Sequence, residues 1–90
     1  MDKLDDDAVQ AGLAGLDWKR EGGALVKVVT KGDFAEAMAV VNEVARLAEA
    51  ANHHPDIAIS WNKVTLTLST HDAGGITQKD LDLARQIDQL

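Results

Sequence analysis

The sequence predicts an α+β fold: a four-stranded antiparallel sheet with three helices packed on one face, in the order α-β-β-α-β-β-α. Three observations predict it. Two pairs of short β-prone runs are each joined by a tight turn, the signature of antiparallel hairpins. Stretches with helix-start chemistry precede, separate and follow those pairs. The chain of 90 residues, 46% hydrophobic and 27% charged, has the length of one domain and the composition of a folded one. With two Trp, one Phe and no Tyr, its core must be aliphatic and rich in alanine.

Each element has a local reason. Asp5, Asp6 and Asp7 put negative charge where a helix N-terminus favours it, so the first helix is expected over about Asp5 to Leu13, with Gly15 stopping it. Leu16 to Arg20, containing Trp18, is expected as a strand. Glu21-Gly22-Gly23 is expected to turn the chain, since glycine takes positive φ at low cost. Ala24 to Thr30, ALVKVVT, is rich in β-branched residues and follows as the partner strand.

Asp33 opens the long helix, with Glu36 at capping-box spacing, and the helix is expected to reach Ala51. At about 100° per residue, Glu36, Asn42, Glu43, Arg46 and Glu49 fall on one arc. Phe34, Ala37, Met38, Val40, Val41, Val44, Ala45, Leu47, Ala48 and Ala51 cover the other. A helix lying on one sheet needs an apolar stripe only a little over about 100° wide. The excess, in a chain this short, predicts a second subunit over part of it. Helix formation ends at Asn52-His53-His54-Pro55, because a residue before proline is pushed out of the α region.

Ile57, Ile59 and Trp61 then alternate with Ala58 and Ser60. Asn62-Lys63 is expected as a two-residue hairpin turn, which sets Trp61 opposite Val64. Val64, Leu66 and Leu68 complete the apolar face, while His71 is expected at the strand end, in register with Thr65, Thr67 and Ser69. Ala73-Gly74-Gly75 turns the chain. Thr77 and Asp80 have capping-box spacing ahead of a last helix that buries Leu81, Leu83, Ala84, Ile87 and Leu90.

The totals exclude several classes. A formal net charge of −6 and scattered basic residues oppose direct nucleic-acid binding. The absence of cysteine removes disulfides, thiolate metal sites and cysteine nucleophiles. No apolar run approaches the ~20 residues of a membrane span, and the acidic start MDKLDDDAVQ lacks a signal-peptide core. The expected location is the cytoplasm, with no membrane partner. No P-loop, dinucleotide fingerprint or serine-centred elbow is present.

Chemistry concentrates between Glu49 and His71, which hold all three histidines and the only proline. His53 and His54 sit at the helix exit and His71 at the end of the second hairpin, so three imidazoles from different elements can meet in one pocket. Two chemistries compete. Three neutral imidazoles suit a transition metal with an open position. Imidazole also gives or takes protons near neutral pH without metal. Glu49 has the reach to orient a histidine. Pro55 shapes the break, Trp61 is expected in the core or the pocket wall, and Ser69 and Thr70 are expected to pair in the strand. Asp80 is explained fully by capping; one carboxylate is expected to serve the cap or the site, not both.

The spacing carries a resemblance. Glu49, three residues, His53-His54-Pro55, five residues, Trp61, nine residues, His71, eight residues and Asp80 follow the pattern of the pterin-4a-carbinolamine dehydratases. The string NKVTLTLSTH, Trp18 and Asp33-Phe34 extend the resemblance along nearly the whole chain; Ile57 and Ala58 stand where family members commonly carry aromatics. The resemblance implies a dehydratase converting 4a-hydroxytetrahydrobiopterin to quinonoid dihydropterin and water, in pterin recycling, with no metal or organic cofactor. It implies that His53 and His71 hold or protonate the pterin substrate, that His54 supplies the other acid/base group, and that Ser69 and Thr70 present backbone groups to the flat ring. It further implies a homodimer or homotetramer and a functional link to an aromatic amino acid hydroxylase. The alternatives are a protein-interaction module of the transcription-factor dimerisation type and a pterin role tied to molybdenum cofactor.

Overall fold

The computed structural model describes residues 2–90. Its elements are α1 (Asp6–Leu13), β1 (Lys19–Glu21), β2 (Ala24–Thr30), α2 (Phe34–Ala51), β3 (Asp56–Ser60), β4 (Lys63–Leu68), a 3₁₀ turn (His71–Ala73) and α3 (Gln78–Asp88). The sheet is antiparallel throughout, in the order β1-β2-β4-β3. This is the predicted α-β-β-α-β-β-α architecture, and the long helix has the expected bounds. Among the described residues no helix is long and apolar enough to cross a membrane.

One face of the sheet builds the core. Leu25, Val64, Leu66 and Leu68 are buried there, against Val9 of α1, Ala37, Val44 and Ala48 of α2, and Leu81, Leu83, Ala84 and Ile87 of α3. The opposite face carries Thr65, Thr67 and Val28, the last 56% exposed. α1 and α3 approach closely at Gly12, where a Cβ would overlap the Leu81 side chain.

The caps follow the sequence. Asp5 accepts from the Ala8 amide at 2.8 Å, and Asp33 from the Glu36 amide at 2.8 Å. Glu36 accepts from the Gly32 amide rather than from Asp33, so the expected box at α2 is only half closed. At α3 the Thr77–Asp80 box is complete.

Four local expectations are corrected. β1 is shorter and later than Leu16 to Arg20, and Glu21 belongs to the strand rather than the turn. Trp18 is withdrawn from the ladder because its indole is buried and its Nε1 donates to Asp88 at 2.9 Å. In the second hairpin Trp61 and Asn62 form the turn, with Trp61 at φ 51. Ile59, not Trp61, therefore faces Val64. Asn62 fixes this choice by clasping Lys31: its Nδ2 donates to the Lys31 carbonyl at 3.0 Å, and its own carbonyl accepts from the Lys31 amide at 2.9 Å. Sliding the turn by one residue moves each partner by two, so the side chains that remain in the two strands keep their expected faces, and Trp61 alone loses its place on the apolar one. Finally, Leu90 lies beyond the end of α3 and is exposed.

The far end of α3 is pinned by charge. Lys27 points from β2 toward the core side, opposite Leu66. Its Nζ donates to Asp88 at 2.7 Å, with Asp17 at 3.3 Å. Asp88 also accepts from the Asp17 amide at 2.8 Å. Burial alone would raise the Asp88 carboxyl, but Lys27, the Asp17 amide and the Trp18 indole outweigh it and hold the group below its usual 3.8. Burial would lower Lys27, yet its two carboxylates outweigh that and raise it.

Two outcomes follow from this packing. Gly12→Ala is expected to destabilise the protein by about 1–2 kcal/mol in urea melts, because overpacking against Leu81 exceeds the helix-propensity gain. Asp88→Asn is expected to cost about 1–3 kcal/mol at pH 7. The carboxyl's native value lies below its unfolded one, so its contribution is complete above roughly pH 4 and fades as pH falls through the native value. The gap between wild type and Asp88→Asn should therefore narrow in melts at pH 3.

Candidate active site

The exit of α2 sets the first two histidines. Asn52 takes the left-handed conformation at φ 50. Its amide donates to the Glu49 carbonyl at 3.2 Å, and the His53 amide donates to the Ala48 carbonyl at 3.1 Å. This is a Schellman closure, with asparagine in the place glycine usually fills. The helix thus ends at Ala51, two residues before His53, and Pro55 keeps the following segment extended.

His71 arrives differently from expectation. The ladder of β4 ends at Leu68, so strand register does not direct this side chain. Thr70 and Gly75 form an isolated bridge, with the Thr70 amide donating to the Gly75 carbonyl at 2.9 Å. The 3₁₀ turn bulges from that bridge, and Gly74 at φ 74 lets it close. His71 and Asp72 project from the bulge.

The result is an open cleft of about 440 Å³ lined by His53, His54, Ser69, Thr70, His71, Asn52, Asp72 and Lys79. All three sequence-predicted histidines line it, as do Ser69 and Thr70. Asn52, Asp72 and Lys79 were not anticipated. Asn52 was legible as the residue most tolerant of positive φ before the histidine pair; Lys79 adjoins Asp80 on the first turn of α3.

The two adjacent histidines have opposite settings. His53 is mostly buried, and its Nε2 lies 2.5 Å from Oδ1 of Asp80, which is wholly buried. His54 is over half exposed, and its Nε2 lies 3.0 Å from Oε2 of Glu49, which is more exposed still. Asp80 does what one carboxylate was not expected to do. Its two oxygens divide the work: Oδ1 meets His53, while Oδ2 accepts from the Thr77 amide at 2.9 Å and from the Thr70 hydroxyl at 2.9 Å. Glu49 thus orients His54 from the rim, and Asp80 supports His53 from behind.

Four anticipated residues lie outside the cleft lining: Glu49 and Asp80, which reach it only through the histidines, and Pro55 and Trp61. Pro55 acts through the backbone only. Trp61 sits at the far tip of the second hairpin, 65% exposed, so it is neither core nor pocket wall. Five residues of extended strand carry it about 17 Å from the helix exit. Among the described residues, no three His, Asp or Glu side chains converge closely enough to hold a metal ion. The imidazoles instead face a common space as separate groups, an arrangement able to give and take protons at different points of one bound molecule.

Comparison with known proteins decides the family. The model described as Pterin 4 alpha carbinolamine dehydratase matches residues 2–90. The chain belongs to this family. Among its relatives, a protein of Roseiflexus sp. (strain RS-1), named "Putative pterin-4-alpha-carbinolamine dehydratase", is 53% identical over 98% of this chain and 96% of its own length. A relative of the same name from Thermomicrobium roseum is 50% identical over 100% of this chain and 98% of its own. A crystal structure of a transcriptional coactivator/pterin dehydratase from Brucella melitensis superposes with a TM-score of 0.92 at 27% identity, covering 98% of this chain and 97% of that one. The family model and the relatives thus agree on the family, and the solved structure shares the fold.

The two His–carboxylate pairs should respond unequally to mutation. Asp80→Asn is expected to lower stability by about 3 kcal/mol, since it disturbs a buried, fully bonded carboxylate that also caps α3. Glu49→Gln should change stability by less than about 0.5 kcal/mol, as exposed pairs do. Thermal and urea denaturation of the two variants measure the contrast.

Proposed function

We propose that this chain dehydrates 4a-hydroxytetrahydropterins to quinonoid dihydropterins by histidine acid/base catalysis. The observation that carries the reading is the meeting of His53, His54 and His71 in one cleft, in a chain of the pterin-4-alpha-carbinolamine dehydratase family. The cleft volume is in the range that holds a small bicyclic molecule.

The reaction asks for two proton transfers. The C4a–O bond breaks and the oxygen leaves as water after receiving a proton. The N5 lone pair forms the C4a=N5 double bond, and N5 gives its proton to a base. One general acid and one general base suffice, and each contributes about 10²–10⁴-fold. His53 and His71 hold or protonate the substrate. His54, on the exposed Glu49, supplies the other acid/base group with solvent access for proton exchange. Ser69, beyond the last ladder pair of β4, offers backbone groups to the flat ring, whereas the amide and carbonyl of Thr70 are already engaged by Gly75 and the 3₁₀ turn.

The physiological setting we propose is cytoplasmic pterin recycling beside an aromatic amino acid hydroxylase, with the chain acting as a homodimer or homotetramer. Supporting assembly, Phe34 of α2 is 50% exposed and Met38, Val40 and Val41 are only partly buried within one chain. That surface also gives the protein-interaction reading its one specific support.

The test is stopped-flow dehydration of 4a-hydroxytetrahydropterin in chelator-treated buffer. Wild type should accelerate the reaction, and His53→Ala should lose about 10²-fold in kcat, with His54→Ala and His71→Ala also impaired. No acceleration by folded wild type, or full activity in all three variants, would contradict the proposal.

A further inference from the structure

We infer that Thr70 and Thr77, acting through Asp80, fix which ring nitrogen of His53 carries its proton, and so which nitrogen is left to take up and hand on another. The inference rests on the dehydratase reading for its chemical use, but the hydrogen-bond pattern stands independently of any substrate.

Start from the donors that have no choice. The Thr77 backbone N–H must donate, and it meets Oδ2 of Asp80 at 2.9 Å. The Asp80 backbone N–H donates to the Thr77 carbonyl at 3.1 Å and faces the Thr77 hydroxyl in the capping box. The Thr77 hydroxyl has one proton to give. The Thr70 hydroxyl lies 2.9 Å from it. Thr70 carries a single hydroxyl proton as well, and Oδ2 of Asp80 is 2.9 Å from its oxygen. A carboxylate accepts and does not donate. The only assignment that satisfies every group therefore runs one way: Thr77 donates to Thr70, and Thr70 donates to Asp80. Thr77 and Asp80 are wholly buried, and no buried side-chain polar atom among the described residues lacks a partner.

Two donors on Oδ2 leave the carboxylate an acceptor at Oδ1 too. The group facing Oδ1 is Nε2 of His53. Nε2 must then carry the proton. In the neutral ring the lone pair falls on Nδ1, which diverges from Nε2 across the ring and points away from the buried carboxylate. A neutral His53 is thus held ready to take a proton at Nδ1, and the relay prevents the ring from switching nitrogens. His54 has no such backing, because its partner Glu49 is exposed. One imidazole of the pair is locked and the other is free to exchange. Thr70 and Thr77 are positioning residues here, with Thr77 at two removes from the ring.

The test is ¹H–¹⁵N two-bond correlation NMR of the histidine ring nitrogens, at alkaline pH where the rings are neutral. Wild type should show His53 as a single Nε2–H tautomer. Thr70→Val removes the hydroxyl with little change of shape; the ring should become a tautomer mixture, and kcat for 4a-hydroxytetrahydropterin dehydration should fall about tenfold while KM moves less than about twofold. Thr70→Ser restores the hydroxyl and should recover both the single tautomer and the rate. A wild-type His53 carrying its proton on Nδ1 would overturn the inference, whatever the stability of the variants. So would a Thr70→Val protein with unchanged ring signals. If the tautomer behaves as expected but no variant, wild type included, turns over the hydroxypterin, the relay stands and the dehydratase reading falls.

Discussion

The cleft depends on one buried carboxylate. Asp80 is removed from water altogether, and a carboxylate in that position is tolerated only when its lone pairs are met by donors. Its donors come from three places in the chain: the exit of α2 through His53, the end of the second hairpin through Thr70, and the start of α3 through Thr77. Those three segments carry most of the cleft. The need to satisfy Asp80 therefore fixes their relative placement, and the same bonds that cap α3 hold the cleft's most buried imidazole. Structural and chemical requirements are carried by one side chain.

Helix α3 is held in the same way at its other end. Asp88 gathers Lys27, the Trp18 indole and the Asp17 amide, tying the helix to β2 and to the loop before β1. Between the two carboxylates the contacts are apolar, through Leu81, Leu83, Ala84 and Ile87. A helix fastened at both ends keeps its first turn still, and that turn presents Lys79 and Asp80. The exposed Glu49–His54 pair lies outside this frame, so the two neighbouring histidines differ sharply in freedom although they are adjacent in sequence.

Much of this was legible in the residues. The capping aspartates, the β-branched run of β2 and the spacing of α2 gave elements whose bounds the structure keeps, because each rests on local chemistry. The histidine set was legible for the same reason: Pro55 forces a break, and a break frees His53 and His54 from helical directions. The misses share one cause, which is a contact between residues distant in sequence. The Trp61 turn is chosen by Asn62 clasping Lys31. Trp18 leaves its strand for Asp88, seventy residues away. Asp80 was seen as a cap, which is a local role, while its second role needed His53 to fold back over twenty-seven residues. Alternation runs unbroken to Ser69 and points to a strand direction for His71, while nothing local announces that the ladder stops at Leu68.

The measurement that tests the account most directly is a chemical-shift titration of the ¹⁵N-labelled protein with a stable dihydropterin. The account predicts that the largest perturbations map to Asn52–His54, Ser69–Asp72 and Lys79, with the Trp61 tip and the Lys27–Asp88 end unmoved. Saturating binding centred on either of those distant ends, or no perturbation at millimolar pterin, would contradict it.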